Sequence, residues 1–243
     1  MKKSMFAAVL GIAVGLGAMG EAKATDDERS WKWSPLGIGI AAPIQLPFMS
    51  TDIYGIRLGG FLGINHDMYG LDAGVVELTT GDMAGLQGAA FTWTKGDVYG
   101  IQIGALANVV EGNMSGIELG LMNVVWGETA GIQLGLVDYN ATQFAGFQIG
   151  AAVNWNSSVS YGWQIGVANA DQDEFTGWSL GVVDFARKFK GLQLGVVNVA
   201  DEVTGCQFGL FNGCEKMHGV QIGLLNMITT SRLPVMVIAN ANF

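Results

Sequence analysis

Polar and apolar positions recur along this chain with a fixed period. Twelve times between Gly55 and Gly223 it presents a glycine, an apolar residue, usually a glutamine, a second apolar residue and another glycine. The units start at Gly55, Gly70, Gly85, Gly100, Gly116, Gly131, Gly146, Gly162, Gly177, Gly191, Gly205 and Gly219, so they are 14–16 residues long. The second glycine follows four residues later in eleven of the twelve, as at Gly104, Gly135 and Gly195; Ala89 is the exception. Such spacing marks a stack of small units, none able to bury its apolar side alone.

Within a unit the period is two. Leu192, Leu194 and Val196 point one way and Gln193, Gly195 and Val197 the other, which predicts β-strand rather than helix. The residue between the two apolar positions is glutamine in eight units: Gln87, Gln102, Gln133, Gln148, Gln164, Gln193, Gln207 and Gln221. In the last nine units an Asn or Asp follows the starting glycine by seven or eight residues, as Asn108, Asn123, Asp138, Asn154, Asn169, Asp184, Asn198, Asn212 and Asn226. Length variation near the C-terminus falls after this residue and places the loop there. Two residues before most starting glycines stands another apolar side chain, such as Met68, Val98, Phe144, Phe175 or Met217, so each unit holds one long or two short strands.

Two architectures fit an all-β repeat of this length. In a parallel β-solenoid each unit is one coil, identical positions stack about 4.8 Å apart, and twelve coils make a rod of roughly 58 Å. Stacking explains why every unit repeats the same residues: an Asn ladder can hydrogen-bond along the rod at a turn, and a Gly ladder permits a tight bend. The pattern favours this fold. The alternative is an outer-membrane barrel of about twelve to fourteen antiparallel strands. In its favour are the alternating run through Val235, Val237, Ala239 and Ala241 to Phe243, and aromatic residues near strand ends (Tyr99, Phe147, Trp155, Trp163, Trp178). Against it, up and down strands would repeat as hairpins of about 30 residues. Only three outward side chains would also lie between Ile132 and Leu136 before Asp138, too few for a lipid-facing band about 25 Å tall.

Residues 1–24 read as a secretory leader, with Lys2 and Lys3, an apolar run and a small-residue cleavage site at Ala22-Lys23-Ala24. Residues 25–54 then form an N-terminal cap segment, 55–231 the repeat array, and 232–243 a C-terminal capping strand set off by Pro234. The leader takes three of the 12 basic and one of the 21 acidic residues, leaving nine and 20, a net charge of −11. That balance excludes nucleic acid as a partner, because phosphate binding requires basic clusters. Only 14% of residues are charged and the mean hydropathy is +0.35, so either both strand faces are largely buried or one meets lipid or another protein.

The stretch Gly191-Leu192-Gln193-Leu194-Gly195-Val196-Val197-Asn198 resembles a family of surface-repeat proteins of Gram-negative bacteria, built on tandem Gly-Leu-Gln-Leu-Gly-Leu-Val-Asn units. The likeness covers residues 43–243, including the opening Pro43-Ile44-Gln45-Leu46, Tyr54-Gly55-Ile56-Arg57-Leu58, Tyr69-Gly70-Leu71-Asp72 and the Leu233-Pro234 exit. It implies association with the cell surface or outer membrane and no activity that can be assigned to a residue. Some relatives carry a lipoprotein leader; no cysteine stands near the cleavage site here.

The chain offers few groups for chemistry. Gly100-Ile101-Gln102-Ile103-Gly104 lacks the Gly-Lys-Ser/Thr of a phosphate loop. Asp171, Asp173 and Glu174 crowd one loop, but without the central glycine of a calcium loop they read as a solvated acidic turn. Glu118 takes the glutamine position, on a solvent face or in a lumen. Cys206 and Cys214, the only cysteines, would admit a disulfide clipping one coil or stand as separate thiols at apolar positions. His66 and His218 read as solvated loop residues. No catalytic, cofactor or metal site is expected, and no small-molecule substrate. The sequence therefore points to a non-enzymatic surface or outer-membrane repeat protein with a structural or interaction role, touching the outer membrane or another envelope protein through an exposed Gln row and an Asn/Asp-rich edge.

Overall fold

The computed structural model describes residues 32–42 and 44–243; the expected leader, residues 25–31 and Pro43 of the cap lie outside these. Regular structure among the described residues is entirely β. The strands are β1 (Trp33–Ala41), β2 (Ile44–Leu46), β3 (Asp52–Leu58), β4 (Leu62–Asn65), β5 (Met68–Ala73), β6 (Val76–Thr79), β7 (Met83–Thr94), β8 (Val98–Val110), β9 (Met114–Val125), β10 (Thr129–Asn140), β11 (Phe144–Asn156), β12 (Ser160–Leu194), β13 (Val197–Phe208), β14 (Phe211–Ile228) and β15 (Val235–Asn242). They pair into one sheet wound as a β-solenoid. From β7 to β11 each unit is a single long strand, the 35-residue β12 runs through two units into a third, and the earliest units split in two, as β3 with β4 and β5 with β6.

Pairing is parallel except at the two ends, where β2 lies antiparallel to β1 and β15 antiparallel to β14. A barrel would be antiparallel throughout, so the barrel alternative is excluded. Like residues align: Gly116 pairs with Gly131, Gly131 with Gly146, Gln133 with Gln148, and Asn198 with Asn212.

The first glycine of every unit is fixed by the backbone. All twelve have φ between 123° and 154°, a region L side chains rarely adopt. At Gly146 there is a second reason, since a Cβ would overlap the carbonyl oxygen of Gly131 one coil earlier. The second glycine has a different role. At Gly195 a Cβ would lie 2.6 Å from Asn198 Oδ1 and 2.9 Å from Asp184 Oδ2, so its bareness seats the Asn/Asp ladder of its own coil and of the preceding one.

The apolar interior is split. Ile53, Met68, Met83, Val98 and Met114, two residues before their glycines, form one buried column with Val110 and Val125. Phe175, Phe189, Val203 and Met217 form its counterpart near the C-terminus, with Ala186, Ala200, Cys214 and Ile228. Between them the same inward positions are mostly polar: Thr129, Asn140, Asn156, Ser160 and Asp171 are all buried. They satisfy one another, as Thr129 Oγ1 donates to Asn140 Oδ1 at 2.7 Å and Asn140 Nδ2 donates to Gln133 Oε1 at 2.8 Å.

Candidate functional site: an uncharged outer face over a polar interior

The glutamine row points inward. Gln87, Gln102, Gln133, Gln148, Gln164, Gln193, Gln207 and Gln221 are all buried, which corrects the expectation of an exposed contact row. Stacking makes burial affordable: Gln102 Nε2 donates to Gln87 Oε1 at 2.7 Å, Gln207 to Gln193 at 2.7 Å and Gln221 to Gln207 at 2.8 Å. A column of amides at strand spacing is its own hydrogen-bond partner.

The Asn/Asp edge is buried too, including Asn123, Asn169, Asn198, Asn212 and Asn226, so it is a ladder inside the rod and no contact surface. Here the expected hydrogen bonding along the stack is present. Asn108 Nδ2 donates to Asn123 Oδ1 (2.8 Å), Asn154 to Asn169 (2.7 Å), Asn198 to Asn212 (2.8 Å) and Asn212 to Asn226 (2.8 Å). The turn comes later, at residues 111–113 for example.

What the inversion places outside is the apolar set. In every one of the twelve units the residues one, three, five and six after the starting glycine are apolar or glycine, and none of them is buried. Leu121, Leu210 and Leu224 are 53%, 52% and 61% exposed. Phe147, Trp163 and Trp178 follow one another along the column, the two indoles stacked 5.1 Å apart with planes 3° from parallel. Every charged residue of 55–231 that is not buried lies one to five residues before a starting glycine, on the turn edge. There Lys190 meets Glu174 and Lys216 meets Glu202, at 2.8 and 2.7 Å.

Seven charged residues of the array are inside. Arg57 and Asp72 occupy the glutamine column and Glu77 the Asn/Asp column; the guanidinium bonds Asp72 Oδ1 at 2.9 Å and also pairs with Glu77. A void beside Arg57, lined also by Ile38, Gln45 and Asn65, measures about 10 Å³, room for about one water. Glu118, Asp138, Asp171 and Asp184 have no cation partner among the described residues, and burial raises their carboxyls to about 8, 7, 7 and 6. Glu118 is thus in the interior, accepting from Gln133 Nε2 at 2.7 Å.

The remaining candidates do not assemble into chemistry. Asp171 points inward while Asp173 and Glu174 sit on the turn edge, so the three do not converge. Cys206 is outward and half-buried, whereas Cys214 is inward with its Sγ 3.9 Å from Met217 Sδ. Both thiols are free, so the disulfide reading fails, and burial pushes Cys214 up to about 11. His66 is exposed as expected, but it has partners: Nδ1 lies 2.9 Å from Asp52 Oδ1 and 3.5 Å from Asp67 Oδ1. Those three residues are a grouping that could hold a metal ion, and the carboxylates already have a structural duty. Asp67 Oδ1 accepts Asp82 N at 2.8 Å, and Asp82 Oδ1 accepts Asp97 N at 2.8 Å, an Asp ladder along the turns.

Compared with protein-family models, curated proteins and solved structures, the chain matches none.

Proposed function

We propose that this chain is an exported, non-enzymatic envelope protein of Gram-negative surface-repeat type: a rod whose uncharged outer face is its contact surface with the outer membrane or with another envelope component. The observation that carries the reading is that face, repeated in twelve consecutive units without one charged side chain at its four outward positions, where the indole N–H groups of Trp163 and Trp178 and the Cys206 thiol are the sole side-chain donors. Monomeric soluble proteins rarely expose apolar patches beyond a few hundred Å², and larger ones mark interaction sites. A non-catalytic role is supported by the disposition of the reactive groups. The buried acids are held in amide ladders, and Arg57 is consumed by two carboxylates.

Cell fractionation tests the proposal. The native chain should sediment with envelope membranes, resist extraction by high salt, and dissolve in detergent. Recovery in the soluble fraction, or a hydrolytic or transferase activity of the pure chain abolished by one point substitution, would overturn it.

A further inference from the structure

We propose that the occupant of the outer face is lipid hydrocarbon, with the rod lying along one leaflet and its charged turn edge in water. This rests on the envelope reading above and names the partner within it.

Four observations converge. Around the glutamine and Asn/Asp columns the polarity is that of a chain folded for an apolar solvent: amide ladders close on themselves inside, and Leu, Ile, Val, Phe and Trp face out on the same stretch of strand. The backbone makes the same demand and meets it. Strand pairing runs along the rod from coil to coil, so the N–H and C=O groups beneath the face are used between neighbouring coils, as hydrocarbon requires.

The third observation is shape. Residues five and six after each starting glycine are consecutive yet both outward, as with Val196 and Val197 or Leu224 and Leu225, so the alternation breaks and the strand turns a corner there. The ladder register shifts at this corner, between Gly135 and Val137 for one. The apolar surface therefore wraps a convex ridge. A second copy or a flat partner covers one side of a ridge, whereas a fluid covers both.

The fourth is length. The face runs without a charged break through a rod of roughly 58 Å, about twice the ~30 Å of a bilayer core. A rod that spanned would leave about half of this apolar face in water, so it lies in the membrane plane. Interfacial elements of this kind sink about 5–10 Å, which leaves the turn edge outside. That edge carries Asp67, Asp82, Asp97 and Glu128 beside few cations in its first half, so the attraction is apolar rather than ionic.

The test is flotation of the purified mature chain with protein-free phosphatidylcholine vesicles. The expected result is co-flotation that persists in high salt. Leu121→Glu/Leu136→Glu/Leu210→Glu, at exposed positions, should reduce the floated fraction at least tenfold while β circular dichroism is kept; Glu128→Gln on the turn edge should leave it unchanged. Should the triple variant misfold, quenching of tryptophan by acyl-brominated lipid supplies the second readout. It should occur in the native chain and fall clearly in Trp163→Phe/Trp178→Phe. A native chain that stays at the bottom of the gradient, as a monomer or as a stable dimer, overturns the lipid assignment, and so does unimpaired flotation of a folded triple variant. If that failure comes with continued sedimentation in the cell envelope, the envelope reading survives and the occupant is a protein.

Discussion

Gln102 and Glu118 stand side by side in adjacent coils, each with a buried oxygen that has no hydrogen-bond partner among the described residues. Gln102 spends its amide N–H on Gln87, and Glu118 Oε2 accepts from Gln133, which leaves Gln102 Oε1 facing a neighbour able to donate only if protonated. The Asn/Asp ladder repeats the situation twice, since Asp138 Oδ2 and Asn154 Oδ1 are without partners in adjacent coils, as are Asp184 Oδ2 and Asn198 Oδ1. A proton on each acid supplies the missing link.

Stability should therefore fall as pH rises. In the unfolded chain these carboxyls release protons near pH 4, whereas in the fold Glu118, Asp138, Asp171 and Asp184 hold them to about 8, 7, 7 and 6. The native state binds more protons across that window, so their contribution is fully present below about pH 4 and is lost by about pH 8. Melting temperatures at pH 5 and 9 check this, with the higher value expected at pH 5. Glu118→Gln should raise the value at pH 9 and change it little at pH 5, because the new amide donates to Gln102 at any pH.

Truncating the glutamine ladder should be costly. Gln207→Ala removes the donor to buried Gln193 Oε1 and the shortest of the hydrogen bonds of Gln221 Nε2, which keeps Met227 O at 3.2 Å. Stranding one buried polar group costs about 1–3 kcal/mol, to be read as a lowered denaturation midpoint. A change under about 0.5 kcal/mol would place this row on the surface.

At Gly146 even alanine should be harmful, because the residue is at φ 151° and its Cβ would overlap Gly131. A loss of about 2 kcal/mol or more is expected, with strain and overlap both contributing. The same substitution at Gly88, where a Cβ meets nothing within 4 Å, should be nearly neutral, and the pair of melting curves separates the two cases.

Removing one coil should leave the fold intact. Deleting residues 177–190 joins the coil of Gly162 to that of Gly191 in register and lets Asn169 donate directly to Asn198, without the intervening Asp184. Retained β circular dichroism with a lowered melting temperature is the expected outcome. Complete loss of folding would mean that the coils are not independent modules.

The period, the parallel stack and the buried column at Met68, Val98, Phe144 and Phe175 can be read from the sequence, because spacing and apolar character coincide there. Which face of residues 192–196 lies inside cannot be read by the usual rule, which sends Leu192 and Leu194 inward and Gln193 out. The rule fails because a lone buried amide is expensive while a column of them satisfies itself, and that depends on neighbours a coil away. Two local signs did point to the inversion: Val196 and Val197 are adjacent apolar residues that break the alternation, and no charge occurs at the Leu192 or Leu194 position of any unit. The buried acids were hidden for the same reason, since Asp138 and Asp184 carry residue types ordinarily found on a surface.

The native cysteines test the inverted polarity most directly, because Cys206 belongs to the outward column and Cys214 to the inward one. The folded chain, treated with the small uncharged reagent N-ethylmaleimide and mapped by mass spectrometry, should be alkylated at Cys206 and protected at Cys214 until denaturant is added. Rapid alkylation of Cys214 with Cys206 protected, or a disulfide between the two, would contradict a rod with its polar ladders inside and its apolar residues outside.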